Sequence, residues 1–357
     1  MKQNPFSPSA GFMPPQIVDR DKVLFDFELA LENGPGAEGR FMRVTGERGM
    51  GKTVILKKMA DLAKGRGWNA IVTEANEGCV DYIKDKLLSF IGTPLQGGSI
   101  NLRIGRLDFA DPAYKAITLR RLLEIYFERS ESPLFLGVDE VQDAFTTELR
   151  EIVQSARARL GDGDEVAITV AGLPDMMSQA RQAKGLTFLH RAMAQDIGLL
   201  DMGRVRGSYR QTFESGGITM DLSVLDQLAT ATGGHPYLMQ LLGRRLWDHC
   251  KAADARSINS DDVAFALDES MKVFKDAVVD VMMQEISPSE RAYLQALKSL
   301  GGTASSHDVA VAMGYQDDKK SNATSKTSKF RTALIKKGLV SSPSRGIVKI
   351  SEQMLAD

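Results

Sequence analysis

The sequence predicts a parallel α/β sheet between layers of helices, followed by an all-helical unit and then a small unit of three helices and a hairpin. Two observations carry this. Short apolar runs alternate with amphipathic helical stretches as far as about residue 200, the pattern of a sheet covered on both faces. From residue 202 the strand pattern stops and only helical spacing continues, until a break at Ser287-Pro288 opens the last segment. The chain has 357 residues, 43% hydrophobic and 25% charged, enough for about two to three packed domains; a disordered or fibrous chain is excluded. No apolar run reaches the roughly 18 residues of a membrane helix, and the first fifteen residues lack the apolar core of a secretory signal. Two cysteines, Cys79 and Cys250, support neither a disulfide framework nor a zinc site. The expected setting is the cytoplasm.

Residues 1–15 contain four prolines and read as a flexible leader. A first helix follows, with Val23, Leu24, Phe27 and Leu31 at helical spacing. The strand expectations are 40–45, 69–73, 134–138, 166–171 and 196–200. Between them, helices are expected near 52–65, 79–91, 113–129, 146–160 and 174–190. The stretch 92–111 fits neither period and reads as a long inserted loop. The α/β unit thus covers 16–201 and the helical unit 202–286. Within 287–357, helical spacing at 290–300, 305–313 and 321–337 precedes an alternating 339–350, the layout of a winged helix-turn-helix. Trp68, Trp247 and the methionines read as core residues, Cys79 and Cys250 as buried thiols, and Lys57 and Lys58 as a solvated helix face.

The most specific motif is Gly46-Glu47-Arg48-Gly49-Met50-Gly51-Lys52-Thr53, a complete GxxxxGK[ST] pattern between an apolar strand and a helix. Its glycines let successive backbone N–H groups turn inward around a phosphate, at the positive end of the helix that follows. Lys52 then sets a point charge on the β- and γ-phosphates, and the Thr53 hydroxyl is a Mg²⁺ ligand. Residues 46–53 are therefore the expected contacts of ATP. A second motif, Leu134-Phe-Leu-Gly-Val-Asp139-Glu140, ends a buried strand in two carboxylates, where parallel sheets bind ligands. Asp139 is expected to hold Mg²⁺ and Glu140 to activate the attacking water as general base. The adjacent pair points to hydrolysis rather than binding alone.

Together these residues resemble the AAA+ and STAND group of P-loop ATPases, and among them the archaeal-type and origin-recognition ATPases that carry a C-terminal winged helix. The resemblance implies further roles. Val18 and Arg20, around an Asp19 that replaces a usual glycine, correspond to the segment packed near adenine. Pro236, in Gly233-Gly-His-Pro-Tyr-Leu238, corresponds to a lid proline lying against the base. His235 reads equally well as a cap of the following helix or as a nucleotide contact. Thr169 stands near the strand position of a γ-phosphate sensor, and Arg191 corresponds to an arginine that senses nucleotide or reaches a neighbour's site. Tyr237 occupies the place of a lid arginine, which moves the likeness toward STAND switches; Arg244 and Arg245 follow two turns later.

Charge is uneven. Residues 287–357 carry eleven Lys/Arg against six Asp/Glu, a net of +5, and the rest of the chain carries −6. On the third helix of this end Lys326, Lys329, Arg331 and Lys336 are expected to meet duplex DNA, with Arg345 reaching it from the turn. Winged helices also serve as internal or protein contacts. The combined expectation is an ATP- and Mg²⁺-dependent ATPase, slow or stimulated, whose nucleotide state controls a DNA-binding winged helix in the manner of replication initiators or mobile-element regulators. The alternative is an ADP-bound switch that answers a protein partner without DNA. A homo-oligomer is open in either case.

Overall fold

A computed structural model describes residues 3–9, 11–91, 99–102, 105–108, 117–141, 147–174, 187–315, 320–337 and 339–350. The chain divides into two compact units: a sheet unit of residues 20–46 and 52–197, and a helical unit of residues 1–19, 47–51 and 198–357.

The sheet unit holds five parallel strands: β1 (Phe41–Thr45), β2 (Asn69–Glu74), β5 (Leu134–Asp139), β6 (Val166–Gly172) and β7 (Met193–Asp196), in the order β2-β5-β6-β1-β7. Every residue of β5 and β6 is buried, as expected for interior strands covered on both faces. Helices α1 (Asp21–Glu32), α2 (Lys52–Gly65), α3 (Cys79–Phe90), α4 (Leu119–Arg129) and α5 (Thr147–Gly161) accompany them. Leu87, Leu123, Leu134, Ile152 and Val166 are all inaccessible within one apolar cluster, and each such side chain contributes about 1.5–3 kcal/mol by leaving water.

Arg40 shows how a buried charge is tolerated here. Its guanidinium donates to the last carbonyls of α1, Ala30 (2.7 Å) and Leu31 (3.0 Å), pairs with Glu165 (2.6 Å) and lies 4.5 Å over the Trp68 ring. It thereby satisfies helix-end acceptors that would otherwise be orphaned. Arg40 ends a short 3₁₀ turn (Glu38–Arg40), so β1 starts one residue later than the sequence reading.

Three expectations in this unit are corrected. The last strand is Met193–Asp196 rather than 196–200. Among the described residues it is an edge strand paired only with β1, with Ala194 and Asp196 exposed and Gln195 buried, while the apolar 197–200 stretch is connecting chain. The stretch 92–111 contains an antiparallel hairpin, β3 (Ser99–Leu102) with β4 (Gly105–Asp108). The helix expected over 113–129 begins at Leu119, where the Thr118 hydroxyl accepts from the Arg121 N–H; residues 109–116 lie outside the described residues. The helix expected over 174–190 falls largely on 175–186, also outside them, and 187–191 is a 3₁₀ turn.

In the helical unit, α6 (Met202–Ser215), α7 (Leu222–Ala231), α8 (Pro236–Ala252) and α9 (Ser260–Phe274) are joined by a two-residue parallel pair, β8 (Thr219–Met220) with β9 (Ser257–Ile258). A π-helical turn, Lys275–Val279, leads into α10 (Asp280–Glu285). Next come α11 (Pro288–Ser299), α12 (Ser306–Ala312) and α13 (Lys320–Lys336). A small antiparallel sheet follows, β10 (Thr303–Ser305) and β11 (Val340–Ser341) flanking β12 (Ile347–Ile350). Ser287 and Glu290 form a reciprocal capping box ahead of α11, with Pro288 in its first turn.

The leader is not the flexible segment its prolines suggest. Phe6 is 1% exposed and sits among Phe213, Tyr209 and Trp247, with ring centroids 5.2, 5.9 and 6.3 Å away. Asn4 donates to Arg244 O (3.0 Å) and Asp248 Oδ1 (2.8 Å), and Gln240 Oε1 accepts from Ser7 N. The seat exists because residue 243 is glycine: a Cβ there would lie 2.4 Å from the Phe6 ring.

Candidate nucleotide-binding site

The phosphate loop leaves β1 and enters α2. Gly46 is anchored in the sheet by its N–H to Gly172 O (3.4 Å). Gly49 and Gly51 take φ of +74° and +90°, left-handed values that a side chain at either position would disfavour. Met50 N closes the turn onto Glu47 O (3.3 Å). Lys52, only 6% exposed, opens α2 and donates from Nζ to Gly46 O at 2.9 Å. Its ammonium is thus held back over the mouth of the loop by a carbonyl, an acceptor that a phosphate oxygen outcompetes on charge.

At the end of β5, two strands from β1, Asp139 is 2% exposed and its Oδ2 accepts from the Thr53 hydroxyl at 2.5 Å. A hydroxyl and a carboxylate brought together are the hard oxygen donors that Mg²⁺ takes alongside phosphate and water, so the residues present fit that ion. Glu140 follows with φ +54°, and its N–H donates back to Asp139 Oδ1 at 3.0 Å. A left-handed non-glycine costs about 1 kcal/mol and persists only where the surroundings enforce it. Here it turns the chain as it leaves the strand, separating the path of Glu140 from that of Asp139. The geometry brings Thr53 to Asp139 across the carboxyl ends of β1 and β5, with Lys52 and Glu140 next to them in the chain.

In the helical unit, Asp19 occupies the usual glycine position and adopts the glycine conformation, φ +56°. Its carboxylate accepts from Asp201 N (2.9 Å), which holds the turn. Val18 packs partly buried against the apolar cluster of this unit; Arg20, in the sheet unit, is 6% exposed. Pro236 is the first residue of α8, and His235 precedes it without any side-chain cap. The capping reading of His235 is therefore removed. Its imidazole is 4% exposed and burial pushes its pKa down to about 4, with the Arg48 backbone acting the other way.

The sensor expectations fare differently. Thr169 lies in the middle of β6, 0% exposed, beside Gly137 and Met42, with an unpartnered hydroxyl. It is three residues short of the strand end at Gly172, an interior position rather than the strand-end one expected of a γ-phosphate sensor. Arg191 is exposed at the end of its 3₁₀ turn and lines an open cavity of about 940 Å³ with Arg120, Arg157 and Phe188, which no phosphate-loop residue lines. Arg244 and Arg245 are exposed, and Arg244 pairs weakly with Asp248 (3.8 Å).

At the basic end, Arg331 does not project outward as expected: it donates to Ser306 Oγ at 2.9 Å, across to α12. Lys337 likewise pairs inward with Glu290 (3.0 Å). Lys326, Lys329 and Arg345 are exposed; the side chain of Lys336 lies outside the described residues. Burial pushes the Cys79 thiol up to about 11, with Glu148 adding to it, and burial raises Cys250 as well, so neither is a ready nucleophile.

Residues 37–179 match the AAA domain family, and residues 276–355 match a family described only as a domain of unknown function (DUF8462). Over residues 37–179 the chain is thus similar to AAA-type P-loop domains. Its fold is similar to the ORC2 protein of Aeropyrum pernix, solved in ADPNP-ADP complexes (14% identity, 97% of this chain and 93% of that one, TM-score 0.63). It is also similar to a Walker-type ATPase of Pyrococcus abyssi (17%, 95% and 95%, 0.62) and to Cdc6p of Pyrobaculum aerophilum (16%, 98% and 94%, 0.53). No curated protein matches it in sequence. Among the described residues no helix is long and apolar enough to cross a membrane.

Proposed function

We propose that this protein binds and hydrolyses ATP with Mg²⁺ and that its nucleotide state controls the C-terminal unit, which acts as a winged helix on duplex DNA. The observation that carries the first half is the 2.5 Å contact of Thr53 with Asp139, next to Lys52 and the turned Glu140. The loop's N–H groups and Lys52 would hold the β- and γ-phosphates. Thr53 and Asp139 would hold the ion, which would supply charge neutralisation for the phosphates. Glu140 would take the proton of a water attacking the γ-phosphorus as the bond to the β–γ bridging oxygen breaks, and ADP and phosphate leave. Because such chemistry is mostly positioning, turnover is expected to be slow until a partner or DNA completes the site.

DNA contact rests on Lys326, Lys329 and Arg345, exposed on a helix and a turn of the segment 287–357, which has a net charge of +5. The inward bonds of Arg331 and Lys337 favour a second reading, in which this unit makes an internal or protein contact and the chain is an ADP-bound switch. Titrating labelled duplex at several salt concentrations separates them: binding that falls steeply with salt supports DNA contact, and no binding at low salt supports the switch.

A further inference from the structure

The Thr232–Tyr237 segment holds His235 rigidly. Thr232 is 0% exposed, its hydroxyl accepts from Gly234 N (3.0 Å) and donates to Ala229 O (2.7 Å), and Leu200 N bonds Gly234 O (2.7 Å). The imidazole is thereby set under the phosphate loop. A Cβ built on Gly49 would lie 2.6 Å from its Cε1 and 3.3 Å from its Nε2. The ring also meets the Phe274 ring edge-on, at 4.7 Å and 81°, immediately before the π-helical turn Lys275–Val279.

Packing alone would be served by an apolar ring. Instead both imidazole nitrogens are buried and neither completes a hydrogen bond, which is uncommon and points to a partner in another state. The loop supplies one. When a phosphate draws backbone N–H groups inward, the carbonyls of the same peptides turn outward and need donors on the far side. His235 is close by, next to Gly49 and with the Arg48 backbone already alongside it.

We propose that His235 is a positioning residue of the nucleotide site, whose ring N–H donates to the Arg48 carbonyl when a nucleoside polyphosphate fills the loop. The inference rests on the proposed nucleotide site and deepens it. The neutral ring has one N–H to give, and its fixed backbone makes the loop, not the ring, the part that adjusts. Phe274 ties the same ring to the start of the π-helical turn, a type of irregularity frequent at functional sites.

The test is calorimetric titration of ADP with Mg²⁺ into wild type, His235→Phe, His235→Asn and Lys52→Ala. Phe keeps an aromatic ring against Phe274 but cannot donate, whereas Asn retains an N–H donor. The expected result is about tenfold weaker binding for His235→Phe, the equivalent of one hydrogen bond, with His235→Asn recovering part of the loss. Wild-type affinity in His235→Phe, with Lys52→Ala defective, overturns this role and leaves the nucleotide site standing. Wild-type affinity in Lys52→Ala overturns the site itself. Should His235→Phe not fold, ring ¹⁵N shifts of the unsubstituted protein decide, since the chain has only four histidines to assign. A His235 resonance that moves on ADP saturation supports the hydrogen bond, and one that stays in place overturns it.

Discussion

The phosphate loop and the basic C-terminal helix both present cations at a helix, yet they hold them in opposite ways. Lys52 is 6% exposed and fixed to Gly46 O, whereas Lys326 and Lys329 are exposed on α13. A buried ammonium aimed into a loop is preorganised for one ligand and loses everything if removed. Exposed lysines act additively, through screened and adaptable contacts. Chemistry at the loop should therefore fail all at once under single substitutions, and contacts at the helix should fade in steps.

The largest expected effect sharpens the first half of this contrast. Lys52→Ala should weaken ATP and ADP binding by about a hundredfold or more, the loss of a charge-assisted contact on phosphate, measured by calorimetry; affinity within threefold of wild type would remove the loop from the account. Phe6→Ala should destabilise the helical unit by about 3 kcal/mol, the cost of emptying a seat lined by three aromatic rings. Urea unfolding checks it, and an unchanged midpoint would return the leader to a flexible tail.

Smaller effects test the second half. Replacing Lys326 and Lys329 together by Ala should lower the slope of log affinity against log salt by about 2 on duplex DNA; an unchanged slope takes α13 out of DNA contact. The smallest concerns the inward ion pair. Burial pushes the Glu290 carboxyl up, but hydrogen bonds from Ser287 and Lys337 outweigh it and hold the group below its ordinary value. A depressed carboxyl contributes stability that is present above the ordinary carboxylate range and is lost as pH falls through the folded value. Glu290→Gln should thus cost about 1 kcal/mol at neutral pH and lessen the further loss on acidification, read from urea midpoints at neutral and acid pH. An acid loss identical to wild type would show that this carboxylate does not set it.

The parts of this protein to which chemistry is assigned by proposal were the easiest to read. GxxxxGK[ST] and the Asp139-Glu140 strand end require given residue types at given spacing, and β1, β5 and α2 appear where those motifs require them. What escaped depends on distant contacts. Phe6 stands in a proline-rich leader, and its seat is a gap at Gly243, more than two hundred residues away. Strand β7 hides because an edge strand needs only alternate burial, and the apolar stretch just after it draws the reading downstream. Arg331 looked free on a helical wheel, and only the packing of α13 on α12 gives it Ser306. Likewise His235 could be read as a cap until the absence of any side-chain bond to α8 and the closeness of Gly49 were visible together.

The most direct test of the central claim is ATP turnover by the purified protein, with and without duplex DNA, beside Glu140→Gln as the blank. The account predicts a slow rate that DNA raises and that Glu140→Gln reduces by about a hundredfold or more while leaving ATP affinity nearly unchanged. A wild-type rate no greater than that of Glu140→Gln, with and without DNA, would contradict it.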